Sequence, residues 1–415
     1  MTMSSSAIAF ALPDDVTDVL SGLEAFVRAE VIERYHAHAD LLDDVRRRYG
    51  PDGAYAPEVV ALIRAIRTAS ASAGYFNLAV PSAMGGGGMG HLAYYAAWEH
   101  VYHVCGGANW LAQFAISHWA FGPSAVLERV TERAAKEILP GLMSGETMMC
   151  FGMSEPDAGS DATMLRTRAE PDGDGWRLNG RKIWTTHVPI ADWMIALAIT
   201  EPERAKARRG GISAFLVPTS AAGFRVERTI GMWGEPGGPE AESVLEDVRV
   251  EPWQLVGELH EGFQIGLQGV SLGRVYNAAR AVGLSRWAIE QAVEYTKTRQ
   301  AFGHAIAEYQ GVSFPLATAA TEIHAAHLMG LNAATLLDHG HRAIKELSMA
   351  KAYAVQAGVR AVDRAMQTFG ALGFTNEMGF TEAYHTLRVI NVADGTNEIL
   401  NRTIFQRLLG GDLAL

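Results

Sequence analysis

The sequence predicts an α+β protein in three parts: an N-terminal helical domain over residues 1–147, a small central antiparallel β domain over 148–256, and a C-terminal four-helix-bundle domain over 257–415. Three observations predict it. Apolar residues recur at three- and four-residue spacing over 15–39 and 57–73, the repeat of one helix face. Between about 148 and 255 that repeat gives way to short β-like runs punctuated by Gly, Pro and Asp. From about 260 to 408 the chain is again helical and rich in alanine.

Within the first part, Pro57 suits the opening turn of a helix, where its missing N–H costs nothing. The glycine cluster at 85–90 interrupts, and helical patterning resumes over 91–103 and 124–142. In the middle part, strands are expected over 193–200, 213–218, 224–228 and 243–250. Their separators are Pro-Asp-Gly-Asp-Gly at 171–175, Gly210-Gly211 and Glu-Pro-Gly-Gly-Pro at 235–239. In the last part, 278–299, 313–337 and 343–367 read as long amphipathic helices.

With 415 residues the chain is too long for one core, since single cores stop growing near 250–300 residues. Its 48% hydrophobic and 20% charged content is that of a soluble globular protein. A formal charge of −11 argues against nucleic acid or an anionic membrane surface as partner. The one basic run, Arg46-Arg47-Arg48, reads as a solvated helix face. Two cysteines, Cys105 and Cys150, are too few for a disulfide framework and fit a reducing compartment, so a cytoplasmic location is expected. The start, Met-Thr-Met-Ser-Ser-Ser, has no basic residue and does not read as a signal peptide. No apolar run is long enough to span a bilayer.

Several patterns invite chemistry they do not support. Residues 85–90 formally satisfy G-x-G-x-x-G, but Pro81 lies where a strand is required and the preceding segment is helical, so a tight inter-helix loop is expected. The pairs His36/His38, His324/His327 and His339/His341 lack a third ligand at useful spacing, so no metal is expected. A P-loop pattern is absent.

Two other segments suit a flat heteroaromatic cofactor. Residues 153–161, Met-Ser-Glu-Pro-Asp-Ala-Gly-Ser-Asp, form a loop rich in hydroxyls, whose Pro156 and Gly159 free backbone N–H groups to face a ligand. Residues 182–186, Lys-Ile-Trp-Thr-Thr, place Trp184 two positions before Thr186, on one face of a strand. An indole and a hydroxyl on one face offer a stacking surface and an edge hydrogen bond. A solvated turn followed by an ordinary strand explains the same residues.

These segments, with Arg-Gln-Ala-Phe-Gly at 299–303, Gln310, Gln-Thr-Phe-Gly-Ala-Leu-Gly-Phe at 367–374 and Asp-Gly-Thr-Asn-Glu-Ile at 394–399, resemble the acyl-CoA dehydrogenase family of flavoproteins in order and spacing. The resemblance implies non-covalent FAD between the β domain and the bundle. Phe151, Met153, Ser154 and Ser160 would line the flavin side, Trp184 would pack on the isoalloxazine, and Thr186 would hydrogen-bond its reactive edge. Arg299, Phe302, Gln310, Gln367 and Gly370 would hold the nucleotide half of a neighbouring subunit's FAD, in a homodimer or homotetramer. Thr396 and Glu398 would also touch the cofactor, and Ser160, Arg274 and Gly395 the substrate.

The resemblance further implies α,β-dehydrogenation of an acyl thioester, with electron-transfer flavoprotein as acceptor. A carboxylate takes the α-proton while the β-hydrogen leaves as hydride to flavin N5. Most members have Glu in a Tyr-Glu-Gly-Thr context; this chain has Ala393-Asp394-Gly395-Thr396, which makes Asp394 the base. Aspartate reaches about 1.5 Å less far than glutamate. The position that serves as base in some relatives is Gly273 here, and the usual upstream Arg-Asp pair is His385-Thr386. Val270 and Ser271 stand where many members contact the carrier, so an acyl-carrier-protein thioester stays open beside CoA. Two other readings share the fold: a flavin oxidase or monooxygenase, of which nitroalkane oxidase also uses Asp, and a non-catalytic FAD-binding homologue.

Overall fold

A computed structural model describes residues 11–413; the serine-rich start discussed above lies outside them. The N-terminal part opens with α1 (Asp14–Phe26), which runs through a π-helical turn (Val27–Ile32) into Glu33–Ala37. Helix α2 (Pro57–Ser72) begins at its proline, as its sequence suggests. Helix α3 (Gly90–Cys105) buries Ala93–Trp98 on nearly every side and runs through the centre of the molecule. The glycine-rich segment before it is a tight loop, with Gly85, Gly88 and Gly90 in the left-handed region.

Two expectations need correction here. Residues 124–142 form no continuous helix but a 3₁₀ turn (Ala125–Arg129) and two short helices (Glu132–Glu137 and Leu139–Met143). Thr131 restarts the chain as an N-cap, its Oγ1 accepting from the Ala134 N–H, and Pro140 lacks the donor that a longer helix needs. The arginine run is likewise not one solvated face. Arg46 and Arg47 pair with Asp44 and Asp40 at the surface, but Arg48 turns inward to Glu235 at 3.1 Å.

The central sheet has eight strands, β1 (Met149–Gly152), β2 (Arg168–Asp172), β3 (Gly175–Thr186), β4 (Trp193–Ile199), β5 (Ile212–Pro218), β6 (Phe224–Thr229), β7 (Glu240–Val250) and β8 (Leu255–Val256). Their order is β6-β7-β3-β2-β4-β5-β8, mostly antiparallel, with β1 lying parallel to β4. The segment 171–175, expected as a separator, is the tip of the β2–β3 hairpin, closed by the pair Asp172 and Gly175. Both faces of the sheet centre are covered. Cys150, Met194, Ala196, Phe215 and Val217 join the core shared with the helices, whereas Met149, Ile195, Leu197, Ala214 and Leu216 join a second core under residues 126–142. That strict alternation is the period of two at work, and it explains why β4 and β5 read as unbroken apolar runs.

The C-terminal part contains α4 (Gly262–Thr298), α5 (Gln310–Asp338), α6 (Ile344–Phe369), α7 (Phe380–Ile390) and α8 (Asn397–Leu409). At 37 residues, α4 spans about 55 Å. Its first half carries glycines at 266, 269 and 273 because other groups press onto its backbone: an added Cβ would stand 3.3 Å from Met153 Sδ, 2.2 Å from the Trp119 ring and 2.2 Å from Asp394 Oδ2, respectively. The last residue of α5, Asp338, caps α3, its carboxylate accepting from the His91 and Leu92 N–H groups at 2.6 and 2.8 Å. Among the described residues no helix is long and apolar enough to cross a membrane.

Candidate active site

The two cofactor-suited segments are tied together by a buried ion pair that no local pattern marks. Lys182 on β3 donates to Glu155 Oε1 at 2.7 Å, and neither residue is open to solvent. Glu155 also accepts from the Thr167 hydroxyl at 2.5 Å and from the Thr167 N–H at 3.1 Å. Burial alone would push this carboxyl up, but Lys182 and the Thr167 and Arg166 donors hold it below its ordinary range. The loop backbone follows, with the Ile183 N–H donating to Ser154 O at 3.0 Å.

Strand β3 does not run evenly to its end. Its pairing with β7 slips between Lys182 and Thr185, and Trp184 sits in the left-handed region at φ 58°. Lys182 and Ile183 are both buried, and Trp184 is turned out with 55% of its surface exposed. Thr185 is buried and Thr186 half-buried. An exposed indole held in an uncommon backbone conformation beside a hydroxyl-bearing loop fits the flat ring system of FAD.

Phe151, Met153 and Trp119 carry the site inward from the sheet. The Phe151 and Trp119 rings lie 4.9 Å apart, and Trp119 abuts α4 at Gly269 and Gly273. On the far side of Gly273 stands Asp394. Its residue is half-buried, and its backbone is left-handed at φ 53°. The turn carrying it is clamped twice: Arg274 Nε donates to Asp394 O at 3.2 Å, and Lys351 Nζ donates to Gly395 O at 2.9 Å. Thr396 caps α8, its Oγ1 accepting from the Ile399 N–H, and Glu398 lies exposed in the first turn. Arg274, expected at the substrate, thus holds the backbone of Asp394.

Asn277 Nδ2 donates to Asp394 Oδ2 at 2.8 Å. Loss of water pushes the Asp394 carboxyl up to about 6, against the pull of Lys351, Arg274, Arg280 and Asn277 toward the charged form. Burial also pushes the Lys351 ammonium down, to about 8. Neither Asn277 nor Arg280 was singled out from sequence; polar residues inside the otherwise apolar stretch 275–282 were the available signal.

A cavity of about 250 Å³ is lined among others by Phe76, Val80, Tyr94, Ile116, Trp119 and Leu272, and Trp119 is the side chain that reaches from it to Gly273. Among the described residues, Tyr94 Oη and Trp119 Nε1 have no hydrogen-bond partner.

The remaining predicted residues gather elsewhere. Arg299, Phe302, Gln310, Gln367 and Gly370 are all exposed, Phe302 by 96%, at the end of the bundle where α4 and α6 finish and α5 begins. The Tyr295 and Phe369 rings, stacked at 4.2 Å, lock those ends together. Counting 26 residues along α4, Arg299 stands about 39 Å from Gly273, which Asp394 abuts. One histidine pair also resolves. His327 Nδ1 lies 2.7 Å from Glu99 Oε2, with Arg286 on the other oxygen at 2.6 Å.

Comparison with known proteins places this architecture. Residues 22–146, 150–248 and 260–409 match the acyl-CoA dehydrogenase N-terminal, middle and C-terminal domains. A 3-(aryl)acrylate reductase from Clostridium sporogenes is 33% identical over 336 residues, covering 81% of this chain and 88% of its own. The caffeyl-CoA reductase–Etf complex subunit CarC of Acetobacterium woodii is 33% identical, over 81% of this chain and 87% of its own. Among solved structures, that of a putative acyl-CoA dehydrogenase from Mycobacterium abscessus aligns with a TM-score of 0.84 at 27% identity, covering 97% of this chain and 100% of its own. The chain belongs to the acyl-CoA dehydrogenase family. It is an oxidoreductase of that family, and its cofactor is FAD.

Proposed function

We propose that the protein dehydrogenates an acyl thioester between its α and β carbons, with Asp394 as the base. The single observation that carries this reading is the carboxyl of Asp394, held against α4 at Gly273, in a chain of this family. Bound FAD supplies the two-electron acceptor for the β-hydride. The side chains of this protein do the rest. Phe151, Met153, Ser154, Ser160, Trp184 and Thr186 would hold the ring system. The cavity lining takes the acyl tail and excludes water. Above a pH of about 6 the Asp394 carboxylate is ionised and can accept the α-proton. As the α-proton passes to Asp394, the electron pair of its C–H bond forms the C=C bond and the β-hydrogen leaves with the electron pair of its own C–H bond. The substrate is oxidised by two electrons.

The left-handed backbone at Asp394 and the missing Cβ at 273 bring its carboxyl up against α4, which would offset its shorter side chain. Arg299, Phe302, Gln310, Gln367 and Gly370 lie too far from Asp394 to grip the same FAD, so they serve a second copy, in a homodimer or homotetramer. Guanidinium and carboxamide groups suit its phosphates and adenine edge. The Acetobacterium relative is named for a complex with Etf, which supports an electron-transfer flavoprotein as acceptor here. An aspartate base also fits a nitroalkane-oxidase-like reaction.

One experiment separates the readings. The FAD-loaded protein is mixed anaerobically with butyryl-, octanoyl- and 3-phenylpropanoyl-CoA while flavin absorbance is followed. Bleaching by a thioester supports the dehydrogenase. No bleaching by any of them, with turnover of nitroethane and uptake of oxygen, would replace it with the oxidase.

A further inference from the structure

We propose that Asn277 and Arg280 are a positioning pair for the base: Arg280 sets which way the Asn277 amide faces, and Asn277 donates into Asp394 Oδ2, leaving Oδ1 for the substrate. The inference rests on Asp394 being the base. Arg280 Nη2 donates to Asn277 Oδ1 at 3.3 Å, and a guanidinium has no acceptor. The amide oxygen must therefore face Arg280, which turns Nδ2 toward Asp394, where it lies 2.8 Å from Oδ2.

Arg280 is itself fixed. Its Nη1 donates to Tyr276 Oη at 3.1 Å, and that hydroxyl is 2.6 Å from Tyr102 Oη on α3. Its guanidinium carbon lies 4.8 Å from the Tyr276 ring centroid and 5.6 Å from that of Tyr102. The base is thus tied through α4 to the central helix α3. A carboxylate one methylene short of the family's usual glutamate has little freedom to search for its proton, so a fixed oxygen matters more here.

The charged and titratable groups around Asp394 come from every neighbouring element. Arg274 and Arg280 lie on α4, Lys351 on α6 and Tyr94 on α3. Glu398 on α8 faces Lys351, and Glu240 on β7 faces Arg280. The substitution Asn277→Leu leaves all of these in place and removes only the amide.

Donation to a carboxylate favours its charged form, so losing the donor raises the pH at which Asp394 ionises, by about one to two units. Two readouts follow it in the FAD-loaded protein. One is the ¹³C NMR titration of labelled aspartate, with the Asp394 signal identified by its loss in Asp394→Asn. The other is the pH profile of anaerobic flavin reduction by an acyl-CoA. In Asn277→Leu both midpoints move upward together. Arg280→Lys, which keeps the positive charge but loses the fork that holds the Asn277 amide oxygen, moves them the same way and serves if the first variant fails to bind FAD. A role in packing alone would lower the rate equally at every pH with an unmoved midpoint, and that result in both variants overturns the pair. Normal flavin reduction by Asp394→Asn would instead remove the base, and the pair's role with it.

Discussion

Replacing Gly273 with alanine tests the site's geometry through one carbon atom. Position 273 lies inside α4, where alanine should be favoured over glycine by about 1 kcal/mol. The new Cβ would stand 2.2 Å from Asp394 Oδ2, 2.5 Å from its Cγ and 2.6 Å from Trp119 Nε1. Ordinary contact begins at 3.4 Å, so the carboxyl must retreat by about 1.2 Å. A displacement of about 1 Å at a reacting group costs on the order of a hundredfold in rate. Gly273→Ala should therefore bind FAD, lose at most about 1–3 kcal/mol of stability to overpacking against Asp394 and Trp119, and reduce its flavin about a hundredfold more slowly. Thermal melting, flavin absorbance and single-turnover stopped flow check the three parts. A variant that reduces its flavin at the parent rate would refute the placement of the base against α4.

Lys182→Met leaves Glu155 buried without its cation, which should cost about 3–5 kcal/mol in chemical denaturation and weaken FAD retention, because the loop 153–161 loses its anchor. His187 is fully buried, and burial pushes its imidazole from 6.5 down to about 3. Its folded form is thus the neutral one. Below pH about 6.5 the unfolded chain takes a proton that the folded chain refuses, and stability falls by about 1.4 kcal/mol per pH unit for this group. His187→Asn, whose residue tolerates the left-handed backbone at φ 65°, should flatten that acid limb between about pH 6 and 4 in urea titrations, and an unchanged slope would contradict it.

Fold and site were legible to different depths in the sequence. Periodicity found the long helices and the strands at 193–200 and 213–218, because their burial repeats locally. It missed the break-up of 124–142, where a capping threonine and a proline outweigh an apolar repeat. The outward turn of Trp184 was not legible either, since its bulge arises from pairing with β7, more than fifty residues away in the chain. Resemblance to a family pointed to Asp394, but nothing local marked Lys182 and Glu155 as partners across 27 residues. Asn277 and Arg280 were hidden for a similar reason: their meaning depends on a turn that returns to α4 from 117 residues downstream. The glycines of α4 were visible as letters only, and what presses on each became clear from its neighbours in space.

The central claim is that Asp394 removes the α-proton. Its most direct test is anaerobic single-turnover reduction of Asp394→Asn loaded with FAD, mixed with an acyl-CoA that bleaches the parent. The substitution keeps the size of the side chain and its place beside Asn277, and removes the negative charge and with it the capacity to take a proton. Flavin absorbance in the oxidised protein should be unchanged, and the rate of bleaching should fall by at least about two orders of magnitude. Bleaching at the parent rate would contradict the account.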